Sequence, residues 1–498
     1  MQQFSLRRYF TVAENFSLTG ITALELVPDG ADYWLLAGAT VDGAVSRIHM
    51  SENSAISVAS VSWDLDTRIT TRLSEGTYAE LGNQGYLLTV ESGTGNVLLQ
   101  QLDGAANSTS LSALRTVAGT SVQAAQIEVL TVLGQTYLAA TSASGNDISL
   151  YGVQSNFQLA PMGVVADTVK SNATGISGLQ MVQVGNEVFV ISISGTEDGL
   201  SSYRVDASGE LALQDSIGTK DGLWLAGLTD VISVETGGVT YLVASAFESS
   251  SVAVVRLNEQ GVFFISDVVN DTRDTRFSGA SALDSFEVNG RDFIVVGGND
   301  GGISLFELLP QGQLFHQQTV VQTNDWNIGA IESLRAVVFG GEVQIVLSGT
   351  GQGGLAQLVL SLDDFGNRQV GNAAANQMTG GALDDTLLGM AGNDQLSGGA
   401  GDDTLFAGTG YDVLTGGAGE DVFVFTADGQ SDRIEDFEFG VDRLHLGDWG
   451  RIYDISALEL IQKSYGAIIR WQNEEIVIYA QDHTPIQISD WSMVDFIF

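Results

Sequence analysis

Residues 380–424 read GGALDDTLL, GMAGNDQLS, GGAGDDTLF, AGTGYDVLT and GGAGEDVFV, which are five consecutive blocks of nine residues. Each block carries an aspartate at its sixth position and an apolar residue two positions later. This spacing predicts a stack of similar turns, each followed by a short strand with one inward apolar side chain. The aspartates are Asp385, Asp394, Asp403, Asp412 and Asp421, and the apolar residues are Leu387, Leu396, Leu405, Leu414 and Phe423.

The composition of these turns indicates calcium. Glycine accepts a positive φ and lets backbone carbonyl oxygens approach one another, and the aspartate adds an anionic oxygen. Oxygen ligands in a flexible loop suit Ca²⁺, which accepts several oxygens at loose geometry. The competing interpretation, a Gly/Asp-rich linker, does not explain why every block carries an apolar residue at the same position.

The stretch resembles the RTX family of calcium-binding nonapeptide repeats. The resemblance implies a β-roll in which two blocks form one coil of eighteen residues and ions lie between turns on alternate sides. Asp385, Asp403 and Asp421 would line one side, and Asp394 and Asp412 the other. The implied calcium ligands also include the turn glycines Gly392, Gly399, Gly401, Gly408, Gly410, Gly417 and Gly419.

Some blocks depart from the family pattern. Leu383 replaces a glycine in the first block, and Met390 and Ala407 replace glycines in the second and fourth. We therefore expect the ion beside the first turn to be the least secure.

Residues 431–446 read SDRIEDFEFGVDRLHL. They resemble the segment that follows RTX repeats in serralysin-type and related type I secretion substrates, with the pattern Asp-x-Ile-x-Asp-Phe-x-x-Gly-x-Asp-x-Leu/Ile-x-Leu. The resemblance implies that Asp432, Asp436 and Asp442 are further calcium ligands or turn caps. It also implies a cap over the open end of the roll, formed by Ile434, Phe437, Leu444 and Leu446. The final Asp-Phe-Ile-Phe resembles the end of the same secretion substrates.

Composition and charge fit export. The net charge is −41, which argues against nucleic acid and anionic membranes as partners. The chain has no cysteine and no apolar run long enough to span a membrane, and residues 1–10 lack an apolar signal core. We expect a secreted protein of a Gram-negative bacterium, exported by the type I machinery and folded by extracellular Ca²⁺.

Residues 1–370 carry a longer repeat with about four strands per unit. Its central apolar strands are spaced by 50 to 53 residues, which predicts an all-β chain with a seven-bladed β-propeller. A pair of β-sandwiches or a β-solenoid is the alternative, and Phe4–Val12 would close the ring. The predicted domains are 1–370 propeller, 371–379 linker, 380–424 β-roll and 425–498 β cap with the secretion signal. The repeats are anchored by Trp34, Tyr86, Tyr137, Val188, Tyr241, Phe293 and Val343.

The first strand of each unit carries a polar, mostly acidic residue that could face the central channel. A convergent ring of carboxylates could hold Ca²⁺ as a Lewis acid, as in propeller lactonases and phosphatases. The alternative is that these side chains are solvated or point into turns. The residues are Glu25, Glu80, Glu128, Gln180, Asp230, Asp284 and Glu332.

No catalytic motif stands out. The four histidines lack the spacing of a zinc pair, and no Gly-x-Ser-x-Gly sequence occurs. We therefore expect the propeller to be a non-catalytic binding or assembly module with cell-surface, polysaccharide or protein partners, such as an adhesin or a surface-layer, matrix or particle component. A calcium-dependent hydrolase and a lectin are the alternatives, the latter with Trp63, Trp224 and Trp326 stacking on sugars.

Overall fold

The computed structural model describes residues 3–11, 21–39, 45–62, 73–81, 84–91, 95–102, 108–113, 115–116, 122–132, 134–142, 144–155, 158–350, 353–452 and 454–498. The fold is all-β and divides into two compact units. The first comprises Phe4–Glu287 and Asp292–Leu360, and the second comprises Ser361–Phe498 with the turn Val288–Arg291.

The first unit contains seven antiparallel sheets, one for each long repeat, which confirms the seven-bladed propeller. Blade 1 consists of Ile21–Asp29, Asp32–Ala39, Val45–Met50 and Ser57–Ser62. Blade 2 consists of Leu73–Leu81, Gln84–Glu91, Val97–Leu102 and Ser108–Ala113. Blade 3 consists of Ile127–Val132, Gln135–Thr141, Asp147–Val153 and Gln158–Ala166. The short strand Arg115–Thr116 adds to blade 3 in parallel with its outer strand.

Blades 4 to 7 follow the same meander from an inner strand to an outer one. Blade 4 contains Ile176–Val184, Glu187–Ser194, Gly199–Val205 and Leu211–Gly218, and blade 5 contains Leu228–Thr236, Val239–Ala246, Ser251–Leu257 and Phe263–Asn270. Blade 6 contains Ala282–Val288, Arg291–Gly297, Gly302–Leu308 and Leu314–Val321. Blade 7 contains Ile331–Phe339, Glu342–Gly349 and Gly353–Ser361. Pairing each strand to its sequence neighbour makes every blade a local unit, which is why the period is so clear in the sequence.

The N-terminal strand completes the seventh blade, as the sequence predicts. Ser5–Thr11 pairs antiparallel with Gly353–Ser361, with Ser5 opposite Val359. Arg7 supports this closure by a bidentate contact, in which Nη1 and Nη2 each lie 2.6 Å from an oxygen of the buried Glu342 carboxylate. Two parallel charge-assisted bonds fix both position and orientation, so the first strand is held by side chains as well as by its ladder.

Neighbouring blades are also joined at the start of their first strands. Ser177 Oγ donates to Leu228 O of the next blade at 2.7 Å, Thr229 Oγ1 donates to Ala280 O at 2.8 Å, and Ser281 Oγ donates to Ile331 O at 2.6 Å. Buried aliphatic side chains fill the space between the blades. The ring therefore rests on repeated contacts between consecutive blades.

The second unit is a parallel β-solenoid with two sheets. Equivalent residues on neighbouring coils differ by eighteen positions, as Leu387 opposite Leu405 and Leu396 opposite Leu414 demonstrate. One sheet contains Phe365–Val370, Asp384–Leu388, Thr404–Phe406, Val422–Val424, Arg443–His445 and Phe496–Ile497. The other contains Gln377–Thr379, Gln395–Ala400, Val413–Ala418, Ser431–Phe437, Glu474–Ala480, Gly466–Trp471 and Glu459–Lys463.

The apolar residue of each block lies in the solenoid core. Leu387, Leu405, Leu414 and Phe423 are fully buried and Leu396 nearly so. The cap adds Ile434, Phe437, Leu444 and Leu446 to the same core, together with Trp449 and Trp491. Short 3₁₀ turns at Gly447–Trp449, Ile455–Ala457, Ile488–Asp490 and Met493–Asp495 connect the cap strands, and another lies at Thr219–Asp221 in the propeller.

The solenoid sheets begin before the nonapeptides. Phe365–Val370 pairs in parallel with Asp384–Leu388, and Gln377–Thr379 pairs with Gln395–Ala400. The segment interpreted as a linker therefore contains a solenoid strand, although the domain limits themselves remain a prediction. Residues before the first block complete the first coil because its sheets need a neighbour on that side.

Candidate metal centre

The repeat aspartates form a hydrogen-bonded ladder on one side of the solenoid. Each carboxylate accepts, through Oδ1, a bond from the backbone N–H of the equivalent residue on the preceding coil. The N–Oδ1 distances are 2.7 Å for Asn367 to Asp385, 2.8 Å for Asp385 to Asp403, 2.9 Å for Asp403 to Asp421 and 3.1 Å for Asp421 to Asp442. One oxygen of each side chain therefore bonds the preceding coil.

A second ladder runs along the other side. Asn376 N donates to Asp394 Oδ1 at 2.7 Å, Asp394 N to Asp412 Oδ1 at 2.8 Å, and Asp412 N to Asp432 Oδ1 at 2.9 Å. The structure thus places Asp385, Asp403 and Asp421 in one ladder and Asp394 and Asp412 in the other. This is the alternation that the eighteen-residue coil implies.

The second oxygen of four repeat aspartates has no protein partner. Asp394, Asp403, Asp412 and Asp421 are at most 1% exposed. Within the described chain, the buried Oδ2 of each accepts no hydrogen bond. A buried carboxylate oxygen without a partner carries a large desolvation penalty. These orphaned oxygens fit a cation that binds between the turns, and Ca²⁺ is the ion whose ligand preference they match.

The first turn differs from the others. Asp385 Oδ2 accepts a bond from Gly381 N at 2.5 Å, so both of its oxygens are engaged by backbone. This turn also carries Leu383 in place of the usual glycine. The sequence-based doubt about an ion beside this turn is therefore in line with the hydrogen bonding.

The turn glycines permit close approach between coils. Gly410 and Gly419 have φ of 137° and 140°, and a Cβ on either would collide with the carbonyl oxygen of the glycine eighteen residues earlier. Met390 adopts a φ of 76°, where a side chain is strained. The carbonyls that the sequence assigns to calcium thus belong to tightly stacked turns. The equivalent glycines with positive φ are Gly392, Gly399, Gly401, Gly408 and Gly417.

The three aspartates after the repeats play different structural roles. Asp432 continues the second ladder. Asp436 instead accepts from Gly416 N at 2.9 Å and Gly417 N at 3.0 Å, and Asp442 accepts from Asp421 N and, at 2.7 Å, from Glu438 N. Since backbone donors occupy both oxygens of Asp436 and of Asp442, their geometry favours turn capping over ion binding.

A further ladder was missed from the sequence. It lies one residue earlier in the block, where Asp402 N donates to Asp384 Oδ1 and Glu420 N donates to Asp402 Oδ1, each at 2.8 Å. On the other side, Tyr411 N donates to Asn393 Oδ1 at 3.1 Å. The fifth position of each block therefore also connects coils. The available signal was the run of Asp384, Asn393 and Asp402 at intervals of nine.

Burial raises the pKa of the solenoid carboxyls. The pKa of Asp403 rises to about 8, and those of Asp412 and Asp421 to about 6. Burial is the main cause in each, and neighbouring carboxylates add to it. The pKa values of Asp432 and Asp442 rise to about 7 for the same reasons. The protein alone therefore does not stabilise the ionised form of these carboxylates. Raised carboxyl pKa values of this kind are expected where a bound cation would supply the stabilising charge.

The propeller channel uses its carboxylates in another way. Asp230 Oδ2 accepts from Leu283 N at 3.1 Å, and Asp284 Oδ2 accepts from Ala336 N at 2.8 Å. Glu25 Oε1 accepts from Tyr78 N at 2.7 Å. Each acceptor lies on one blade and each donor on the first strand of the next. Three residues of the predicted ring therefore join blades.

The remaining ring positions do not form a common carboxylate cluster. Glu80 is exposed, and Gln180 Nε2 donates to Glu128 Oε1 at 3.3 Å. Arg335, which the sequence analysis missed, lies 3.6 Å from Glu25 Oε2. Across the described residues, no three His, Cys, Asp or Glu side chains converge closely enough to hold a metal ion. Calcium sites built from one carboxylate per turn and backbone carbonyls do not require such a cluster.

Two of the three candidate sugar-stacking tryptophans can be placed. Trp224 is 70% exposed, whereas Trp326 is 3% exposed and belongs to the propeller core. Trp63 lies outside the described residues. In the described part of the chain, no helix has the length and apolarity to cross a membrane.

Comparison with known families identifies the repeats. The family of RTX calcium-binding nonapeptide repeats, HemolysinCabind, matches at residues 370–405, 379–414 and 397–428. No curated protein matches the chain. The matched segment contains the five repeat aspartates and the four orphaned oxygens. The β-solenoid of this chain is therefore built from RTX calcium-binding repeats.

Proposed function

We propose that this protein is a secreted calcium-binding protein whose RTX solenoid folds on Ca²⁺ outside the cell and whose propeller is a non-catalytic binding or assembly module. The four buried Oδ2 atoms without partners carry the calcium part of this proposal. Export by the type I machinery of a Gram-negative bacterium rests on the resemblance of residues 431–446 to the corresponding region of known substrates.

Calcium would act here as a folding ligand. Asp394, Asp403, Asp412 and Asp421 would each offer one carboxylate oxygen, and stacked turn glycines would offer carbonyl oxygens. The ion supplies the positive charge that these buried groups lack. Oδ1 of the same side chains bonds the preceding coil, so ligand position and coil register are set by one residue.

The segment that binds calcium is expected to stay open where the ion is scarce. Residues 378–448 contain fifteen carboxylates and only two basic side chains, Arg433 and Arg443. Their mutual repulsion opposes folding until cations neutralise it. Extracellular calcium modules bind at ~10⁻⁴–10⁻³ M, so the same chain would remain unfolded during export and fold on arrival.

The channel of the propeller supports the proposal that this unit is a binding module. Asp230 and Asp284 are engaged between blades, so they are not arranged around a common ion. The hydrolase alternative requires such an ion as Lewis acid. A rigid ring with broad faces suits recognition or assembly, and the exposed Trp224 keeps a carbohydrate partner among the candidates.

Calcium titration of the full chain tests both parts. We expect the wild type to bind several ions by calorimetry and to gain β structure in circular dichroism. A variant with Asp394, Asp403, Asp412 and Asp421 all changed to Asn should lose this binding, whereas the exposed control Asp482→Asn should not. A stoichiometric calcium site that survives the fourfold change would favour the hydrolase.

A secretion assay tests export separately. The full chain and a variant lacking residues 425–498 would be expressed with a type I exporter, and the medium and the cells would be compared. We expect only the full chain in the medium. Equal secretion of both would contradict the assignment of the signal to this region.

A further inference from the structure

One recurring position of the propeller carries a small hydroxyl residue in five blades and a different residue type in two. The second residue of each first strand, or the residue just before the strand, recurs at intervals of 51 or 52 residues. In five blades a β-bulge marks this position in the pairing with the second strand. Five blades carry a small hydroxyl residue there, and two carry a long polar side chain. The seven residues are Thr22, Ser74, Gln126, Ser177, Thr229, Ser281 and Glu332.

Three of the hydroxyls at this position join blades. Ser177, Thr229 and Ser281 each donate to a carbonyl of the following blade. An ionised carboxylate cannot donate such a bond. In the seventh blade, Ser348 Oγ on the second strand donates instead to Ile21 O at 3.0 Å. Glu332 is therefore released from the structural role of its counterparts.

Both exceptions line the same cavity. It has a volume of about 230 Å³ and is bordered by residues from the first strands or strand starts of six blades, so it lies at the centre of the ring. Gln126 and Glu332 contribute its long polar side chains, beside Ser177, Thr229 and Asp230. A concave site with a few convergent polar groups is the usual form of a small-molecule site.

The carboxylate of Glu332 has no partner among the described residues. It is half-buried, and it makes no hydrogen bond or ion pair with any other residue that the structure describes. Burial alone raises its pKa. Arg335, the cationic side chain that borders the cavity, is already engaged, because it pairs with Glu25 and donates to Leu334 O at 2.8 Å. Asp230 is likewise satisfied, accepting from Val231 N and Leu283 N.

We propose that Glu332 and Gln126 form a binding site for a compact molecule that carries a protonated amino group beside hydroxyl groups, of about the size of a monosaccharide. The carboxylate would accept the ammonium group, since a desolvated anion without a counter-ion gains most from a charged donor. The Gln126 amide both donates and accepts, and so matches hydroxyls. This inference rests on the proposed role of the propeller as a binding module and names its ligand class.

Glucosamine is the probe, measured by calorimetry and saturation-transfer NMR on the full chain in saturating Ca²⁺. N-acetylglucosamine and glucose are the matched controls, because they keep the ring and remove the charge. Nα-acetyllysine tests whether the ammonium group comes from a protein instead. Glu332→Thr restores the residue type of the other blades and should leave folding intact, while Gln126→Ser does the same for the second exception.

We expect glucosamine or Nα-acetyllysine to bind, and the uncharged sugars to bind about tenfold more weakly or not at all. Glu332→Thr should reduce ammonium binding by about tenfold or more, and the exposed control Glu210→Gln should leave it unchanged. Binding that is unaffected by Glu332→Thr, or no binding of either amine, overturns the inference. Retained calcium-dependent folding in that case would leave the proposed function standing.

Discussion

The propeller and the solenoid both carry buried aspartates, but Asp230 and Asp284 of the propeller use their two carboxylate oxygens differently from Asp403 of the solenoid. In the propeller, Asp230 accepts from Val231 N and Leu283 N, and Asp284 accepts from Ser285 N and Ala336 N. In the solenoid, Asp403 accepts through Oδ1 only. Protein donors satisfy both carboxylate oxygens of the propeller aspartates. The second oxygen of the solenoid aspartate has no protein donor and would be satisfied by a cation.

This difference separates a structural carboxylate from a ligand. Burial raises the pKa of Asp230, Asp284 and Asp403 alike. The pKa direction therefore does not distinguish the two roles, and the number of protein donors does. Among the repeat aspartates, a buried second oxygen without a protein donor marks an incomplete site.

Calcium removal should produce the largest difference between the solenoid and the propeller, measured as hydrogen-exchange protection. In excess EGTA we expect the backbone N–H groups of Asp385, Asp394 and Asp403 to lose protection in hydrogen exchange, because the solenoid carboxylates then repel one another. The N–H groups of Leu283 and Ala336 should keep theirs.

Magnesium is the control for this experiment. It demands stricter octahedral geometry and gives up water reluctantly, so an equal concentration should not restore the lost protection. Loss of protection in both regions, or in neither, would contradict the division between them.

Matched Asp→Asn changes should act in opposite ways. Asp403→Asn keeps the Oδ1 acceptor and removes a repelling charge, so it should weaken calcium binding by about tenfold or more and stabilise the calcium-free solenoid. Asp284→Asn places an amide donor against a backbone donor and should cost about 1–3 kcal/mol of unfolding free energy.

Denaturant unfolding with and without Ca²⁺ checks both variants. The effect of Asp284→Asn should not depend on calcium, and that of Asp403→Asn should change sign. If calcium changed the unfolding free energy of both variants equally, the distinction between carboxylates satisfied by protein donors and carboxylates that need a cation would be wrong.

The pH dependence of the propeller offers a smaller effect. Burial, with repulsion from Glu25, raises the pKa of Glu128 to about 8. The folded state therefore binds a proton that the unfolded state releases at lower pH, so stability falls as pH rises towards 8. The slope is up to about 1.4 kcal/mol per pH unit from this group.

Glu128→Gln should flatten this slope and raise the melting temperature at the alkaline end. Thermal unfolding in saturating Ca²⁺ at several pH values measures it, with the exposed Glu80→Gln as control. An unchanged slope in Glu128→Gln would mean that Glu128 titrates alike in both states.

The smallest expected effect concerns one bond between blades. Ser281→Ala removes the donor to Ile331 O and should lower the unfolding free energy by about 0.5–1.5 kcal/mol, equally in Ca²⁺ and in EGTA. Ser208→Ala, at an exposed turn, is the control and should change stability less. A calcium-dependent effect of Ser281→Ala would contradict the expectation that this bond stabilises the propeller independently of calcium.

The regular features of both regions were predictable from the sequence. The interval of nine predicted the turns, the buried apolar set and, through the RTX resemblance, the alternation of the ladders. The longer period predicted the seven blades and the closing strand. Each follows from contacts that recur between equivalent residues, so the periodicity carries the information.

The missed features depend on local irregularity. The sequence analysis placed Glu332 in a ring of equivalent polar residues, but it stands at the β-bulge between Ile331 and Ser333 and borders the central cavity without joining blades. Arg335 instead meets Glu25. Asp384 and Asp402 were overlooked because their role is a bond across coils, which the spacing alone does not distinguish from solvent exposure.

The pairing of Ser5–Thr11 with Gly353–Ser361 brings the two ends of the propeller segment side by side. The ring could therefore be formed by a chain that starts at any of its blades. A gene rearranged to begin between two other blades, with the old ends joined by a short linker, should encode the same circle. Such a circular permutant would move the attachment point of the propeller while preserving its channel.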